Sequence, residues 1–262
     1  IADVQPDVLW GHMLLWAPPG SPPVSDLLGL AEGWRRRGAI VLLHDGDPRG
    51  RTRFPHDVSR AVDAALCNHT RGVAEWGVPA IHWPYAAFVQ ARRAAPSPEF
   101  RADLVFAGIL REEGPLYGPR TACARELRDR LGARIFPEDV GVNTRLMTAE
   151  VASSCIAAIG FGRPEVPGWI DTRVFQYPGA GAILLHDDVH PEFTGLVPDE
   201  HYIHVPRYDV DAISAALQRL RGMPDPQREA LRERAFTHIQ GRHTWVHRVR
   251  AVLDTFFVGG MW

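Results

Sequence analysis

The chain has 262 residues, 45% hydrophobic and 23% charged, with a formal net charge of −2 and a sequence pI of about 6.7. That length holds one large or two modest domains of roughly 100–200 residues each, and the composition is ordinary for a folded globular protein, which excludes wholesale disorder. The near-neutral balance excludes a global positive field drawing the chain to nucleic acid or to an anionic membrane, while leaving local patches open.

In the first third, short apolar runs at Val8–Trp10, Ile40–Leu43, Ala64–Cys67 and Ala80–Trp83 are expected as strands. Val24–Arg37, Val58–Val62 and Thr70–Trp76 between them suit helices, and this alternation predicts a parallel sheet covered by helices. The helix over Ser25–Arg37 is the plainest. Leu27, Leu28, Leu30, Ala31 and Trp34 keep helical spacing, Arg35 to Arg37 suit the negative end of the dipole, and Gly38 ends the element. The segment Ala91–Arg101, ARRAAPSPEFR, loses periodicity and gains prolines, which places a domain boundary there.

A second alternation follows. Leu104–Ala107 is expected as a strand, Arg120–Leu131 as a helix, Ala133–Phe136 as a strand, Leu146–Ser153 as a helix and Ile156–Ile159 as a strand. Ile183–Leu185 continues the sheet, Ile203–Val205 closes its edge, and Val210–Leu220, Pro226–Ile239 and Thr244–Phe257 are helices. The most informative run is Ile156–Asp187, IAAIGFGRPEVPGWIDTRVFQYPGAGAILLHD, which spells strand, glycine-bearing loop, helix and strand. Asp171 and Thr172 cap a helix through Arg173–Tyr177, and Pro178 with Gly179 ends it. A helix opening at the carboxyl end of a parallel strand turns unpaired N–H groups and its positive end toward an anion, so this order builds a place for a diphosphate.

Ligands in open α/β sheets sit outside the carboxyl ends of the strands, and three loops here qualify. Gly108 follows one strand, with Arg111 and Arg120 near in sequence; Gly160–Gly168 with Arg163 follow the next; Thr172 and Arg173 open the helix. All 29 basic residues are arginines, so lysine chemistry such as a Schiff base is excluded. Cys67, Cys123 and Cys155 lie far apart with no C-x-x-C and read as reduced core thiols rather than a zinc site or a disulfide framework. No segment approaches the roughly 18 uninterrupted apolar residues of a membrane span and no basic-then-apolar signal pattern opens the chain, which gives the expectation of a cytoplasmic protein.

The stretch TRVFQYPGAGAILLHD resembles the R-x-F-E-x-x-x-x-G-x-x-L-L signature of the CgeB-like (spore maturation protein type) glycosyltransferases, group 1, GT-B class. HVPRYDVDAISAALQRL and GRHTWVHRVRAVLDTF resemble that family's closing helices, ADLVFAGILREEGPLYGPR the opening of its second domain, and VLLHDGDPRG a loop of its first. The resemblance implies a GT-B fold of two Rossmann-like domains facing across a cleft. The first domain, residues 1–95, would bind the acceptor and looks trimmed of its opening strand; the second, residues 96–243, would bind the nucleotide sugar; residues 244–262 would form a helix crossing back to the first. It also implies a hexosyltransferase using a nucleotide diphosphate sugar, a UDP-sugar foremost, with no cofactor and no metal. Fixed arginines and helix dipoles would then neutralise the departing diphosphate. The donor-binding set is Gly108, Arg111, Arg120, Arg163, Thr172, Arg173 and Gln176. At Gln176 the chain departs from the family, whose glutamate offers two acceptor oxygens to the ribose hydroxyls where glutamine offers one acceptor and one donor.

An acceptor hydroxyl needs a proton acceptor. Asp45 and Asp47, in HDGDPR after an apolar run, and His12, in WGHM, are the candidates, with His82 at a comparable place; a tight turn explains D-G equally well. Trp10, Trp16, Trp83 and Tyr85 near these loops suit either stacking on a sugar or core packing. The acceptor stays open as a small molecule, glycan or protein, and retention or inversion is not written in these residues. Two alternatives stand beside this reading. One is a phage-type transferase acting on hydroxymethylated DNA bases, suggested by RGRTRF at Arg49–Phe54; the other is a degenerate, non-catalytic nucleotide-binding protein, suggested by Gln176.

Overall fold

The structure is a computed structural model and describes residues 8–12, 24–45, 61–70, 73, 76–88, 94–108, 110, 117–136, 148–163 and 166–258. Of the expected elements, residues 58–60 of the helix at Val58–Val62 and most of that at Thr70–Trp76 lie outside the described residues, and Ala61 and Val62 stand in no helix. Contacts divide the chain into two compact units, Ile1–Tyr85 with Arg163–Ile170, and Ala86–Gly162 with Asp171–Trp262. The division falls before the proline-rich segment where the sequence places the boundary, and hydrogen bonding explains why. Ala87 N donates to His243 O at 2.9 Å, Trp245 N to Ala87 O at 3.1 Å and Gln240 Nε2 to Phe88 O at 3.0 Å, all within the second unit.

The first unit holds a parallel sheet in the order β1 (Val8–His12), β2 (Ile40–Asp45), β3 (Ala64–Cys67) and β4 (Ala80–His82). Helix α1, Val24–Arg35, packs on it, and Trp34, Val41, Ala65, Cys67 and Trp76 share one core. Asp63 ties strand to helix: its carboxylate accepts from Val41 N at 2.8 Å and from Arg35 Nε at 2.9 Å. The segment 163–170 belongs here by its bonds, since Thr70 N and Oγ1 donate to Pro167 O at 3.1 and 3.0 Å and His82 Nε2 donates to Gly168 O at 2.9 Å.

The second unit holds a five-stranded parallel sheet in the order β6 (Arg134–Phe136), β5 (Ala102–Ala107), β7 (Cys155–Ile159), β8 (Ile183–His186), β9 (Tyr202–His204). Helices α2 (Gly118–Leu131), α3 (Ala149–Ser154), α4 (Thr172–Gly179), α5 (Pro191–Thr194), α6 (Val210–Gly222), α7 (Asp225–Arg242) and α8 (Trp245–Leu253) follow in chain order. The inner strands are near-continuous apolar runs because both faces of a parallel sheet are covered. Helix α6 shows how the pattern fixes the packing: Val210, Ile213, Leu217 and Leu220 fall on one face and are buried, and the Asp209 side chain caps the helix by accepting from Ala212 N at 2.9 Å. Cys67, Cys123 and Cys155 are free and buried, and burial pushes the Cys123 and Cys155 thiols up to about 12, which keeps them inert.

Candidate active site

The strand order of the second sheet locates the site. From β5 the chain moves to β6 on one side and then returns to β7 on the other, so the order reverses between β5 and β7. At such a switch point the flanking connections leave in opposite directions and open a crevice beyond the carboxyl ends. Gly108 stands at the end of β5, Gly160 at the end of β7, and Arg173 lies between them. Its Nη2 takes the volume that a β-carbon on Gly108 would need, and its own Cβ lies 3.2 Å from the corresponding point on Gly160.

Arg173 is locked in place. Nε donates to Ala107 O at 2.8 Å, Nη1 donates to both oxygens of Asp171 at 2.9 and 3.0 Å, and the guanidinium lies 5.0 Å from the Phe106 ring. Asp171 is also the N-cap of α4, accepting from Arg173 N at 3.2 Å. Burial pushes the Asp171 carboxyl up, but the Arg173 guanidinium and the His186 imidazole outweigh it and hold the group well below the ordinary carboxylate range. Burial acts against the charge of Arg173 as well, and Asp171 more than restores it. A consequence follows for the helix terminus. With a carboxylate already seated on it, and Val174 N donating to Asp171 O at 3.0 Å, the helix dipole is largely answered within the protein. The helix amides on which the sequence led us to place an anion are thus partly occupied, while the Nη2 edge of Arg173 lies at Gly108.

Two buried groups brace this corner. Tyr177 OH accepts from Ala107 N at 2.8 Å and donates to Ala107 O at 3.2 Å, and burial pushes the phenol up to about 12, so it stays protonated. His186 is wholly buried; Asp188 N donates to its Nδ1 at 3.1 Å, which puts the ring proton on Nε2, 3.9 Å from Asp171 Oδ2. Farther along the strand ends, Asp187 Oδ1 accepts from Gly162 N at 2.7 Å while its Oδ2 accepts from Arg207 Nε.

Of the donor residues expected from sequence, Gly108, Thr172, Arg173 and Gln176 gather at this crevice or on the helix that forms it, Thr172 Oγ1 donating to Asp171 Oδ1 at 3.3 Å. Arg120 lies in the first turn of α2 with its guanidinium 5.9 Å from the same Phe106 ring and 4.7 Å from Tyr117. Arg163 groups with the first unit, its guanidinium 5.0 Å from the Trp169 ring. Arg111 and Asp47 lie outside the described residues. His12 and Asp45 end the neighbouring strands β1 and β2. Around them the carboxyl edge of the first sheet carries polar groups that sequence reasoning passed over: His44, edge-on to Trp83 at 4.8 Å, and the buried Asn68 and His69 directly after β3. Asp171 as an ion-pair partner, His186, Asp187 and Arg207 were likewise missed as site residues. The signal for the middle pair was present in LLHDD, a histidine and carboxylates directly after an apolar strand.

A cavity of about 580 Å³ lined by Ser153, Asp225, Arg228 and Arg232 lies elsewhere, near the start of β7, where Arg232 Nη2 donates to Cys155 O at 2.6 Å. Among the described residues no group of three histidine, cysteine or acidic side chains is placed to hold a metal ion, and no helix is long and apolar enough to cross a membrane.

A family model described as glycosyl transferase-like matches residues 123–254, just over half of the chain. No curated protein matches it. Among solved structures it is similar to an alpha,alpha-trehalose-phosphate synthase (UDP-forming) from Burkholderia vietnamiensis, at 14% identity and a TM-score of 0.56 over 96% of this chain and 74% of that one. It is also similar to HepE from Anabaena in complex with UDP and glucose, at 9% identity and a TM-score of 0.59 over 95% of this chain and 77% of that one. A third is sucrose-phosphate synthase from Thermosynechococcus elongatus, at 11% identity and a TM-score of 0.51 over 87% and 71%. At these identities the likeness is one of fold, and the fold is GT-B, with Rossmann-like parallel sheets as the sequence led us to expect.

Proposed function

This chain belongs to the glycosyl transferase-like family, and we propose that it moves a hexose from a nucleotide diphosphate sugar, a UDP-sugar foremost, to an acceptor hydroxyl, as a member of the CgeB-like subgroup. The observation that carries this is Arg173, a guanidinium pinned by Asp171 and the Ala107 carbonyl at the switch point of a parallel sheet, with its Nη2 edge lodged at Gly108. As the glycosidic bond to the donor breaks, negative charge builds on the leaving diphosphate. A cation held rigid before the reaction stabilises that charge without reorganising. Similar folds solved with UDP-glucose, or with UDP and glucose, lend support to the choice of donor.

Neutralisation by fixed guanidinium groups is why the mechanism is read as metal-independent. Gln176, one turn along α4 on the side of Arg173, is assigned to the ribose hydroxyls, with one acceptor oxygen where the family has two. The proton of the acceptor hydroxyl is assigned to the carboxyl edge of the first sheet, where His12 and Asp45 end their strands and Asp47 follows.

Calorimetric titration of the full chain with UDP tests the reading. The wild type is expected to bind and Arg173→Ala to bind about tenfold more weakly or worse, the loss of a charge-assisted contact. Equal affinity in the two proteins would remove the donor assignment.

A further inference from the structure

We propose that Arg207 is a second anion-holding residue of the donor site, acting with Arg173 on the leaving diphosphate from the other end of the Gly160–Phe161–Gly162 turn; this rests on the donor reading above. The two arginines are built into the strand ends in the same way. Each is anchored by a buried aspartate, Asp171 for Arg173 and Asp187 for Arg207, with side-chain exposures of 2% and 6%. Each lays its Nη2 against a glycine that follows a strand: Arg173 at Gly108 after β5, Arg207 at Gly162 after β7, 3.5 Å from the point where a β-carbon would stand.

The turn between them fixes their relation. Gly160 lies against Arg173 Cβ and the His186 ring, and Gly162 against Arg207 Nη2 and Asp188. Arg173 through its Cβ and Arg207 through its guanidinium therefore flank one three-residue turn at the carboxyl end of β7. Asp187 couples turn and arginine directly, giving one oxygen to Gly162 N and the other to Arg207 Nε. Among the described residues no hydrogen bond engages the outer N–H groups of Arg207, whose side chain is 25% exposed, while that of Arg173 is 15% exposed. A guanidinium carries five N–H donors in a rigid fork. Fixing one edge by a carboxylate aims the rest and removes the rotamer entropy that a free arginine loses on binding. Because each aspartate offsets much of its arginine's charge, the site recognises an anion by hydrogen-bond geometry, and a diphosphate presents oxygens to two forks where a monophosphate engages one.

A role confined to bracing the turn predicts something different, since a misplaced turn would weaken every part of the nucleotide alike. The full chain is titrated calorimetrically with UDP, UMP and uridine, as wild type, Arg207→Ala and Arg207→Lys, with thermal melts of each protein. Arg207→Ala is expected to weaken UDP by about tenfold and UMP by less, and to leave uridine unchanged, as loss of one charge-assisted fork implies. Arg207→Lys keeps a cation beside Asp187 but not the fork, and is expected to fall between, which reads the contact even if the alanine variant melts early. Equal losses for UDP and uridine, or unchanged UDP binding in both variants, would overturn the inference. If UDP binding is lost in Arg173→Ala but kept in both Arg207 variants, only this inference fails; if the wild type binds no UDP, the donor reading fails with it.

Discussion

Arg173 and Gly108 share one volume: the guanidinium of Arg173 fills the space that any side chain at position 108 would claim, with the Phe106 ring 3.0 Å from the same point. The obstacle is a guanidinium tied to Asp171 and to the Ala107 carbonyl, so Gly108→Ala is expected to cost about 1–3 kcal/mol by overpacking as it displaces that group. UDP affinity should fall several-fold, and thermal melts should show the lowered stability. Gly160→Ala meets a different obstacle, because its β-carbon would stand 2.7 Å from the wholly buried His186 ring. Overpacking there is expected to cost about 1–3 kcal/mol, read by urea denaturation.

Asp171→Asn should be among the more damaging single changes. It leaves the Arg173 guanidinium without its carboxylate in a largely buried place, a loss of about 3–5 kcal/mol by the usual cost of breaking a buried pair. The wild-type pair also carries a pH signature. The folded Asp171 carboxyl lies below its unfolded value, so its stabilisation is present above the ordinary carboxylate range near pH 4 and is lost as pH falls below it. Denaturation curves of wild type and Asp171→Asn should converge toward strongly acid pH, and parallel curves would contradict the assignment.

Gln176→Glu supplies the two acceptor oxygens of the signature that this stretch resembles. Donor hydrolysis should be retained or rise, by about threefold where ribose contacts limit binding, the worth of part of one hydrogen bond. Abolished turnover in a coupled UDP-release assay would show that glutamine is required as it stands.

His243 supplies a second pH test away from the crevice. It is buried, Nε2 donates to Thr194 O at 2.9 Å, and Arg248 Nη2 donates to its Nδ1 at 3.2 Å, so neither nitrogen accepts a proton freely. Burial first, then Arg248 and His238, lower it from 6.5 to about 4. The unfolded chain thus takes up a proton before the folded one, and stability contributed at neutral pH declines as pH falls from about 6.5 toward about 4. Thermal melts of His243→Gln should lack that part of the pH dependence seen in the wild type.

Much of the scaffold was legible in the residues alone. Alternating apolar runs and amphipathic stretches gave the parallel sheets, since a strand buried on both faces and a helix buried on one impose different periods, and β7, α4 and β8 lie close to where IAAI, TRVFQY and AILL place them. The places of Gly108 after a strand and of Arg173 in the first turn of its helix were legible too. The strand order β6-β5-β7 was not, and with it the switch point, because the crossover side of each strand depends on packing between segments distant in sequence. Nor could the pairing of Arg207 with Asp187, or the seating of Asp171 against both Arg173 and the helix terminus, be read from spacing. Local sequence sets which groups can carry charge; only the folded sheet brings a carboxylate within 3 Å of one edge of a guanidinium and sets its other edge at the Gly108 backbone.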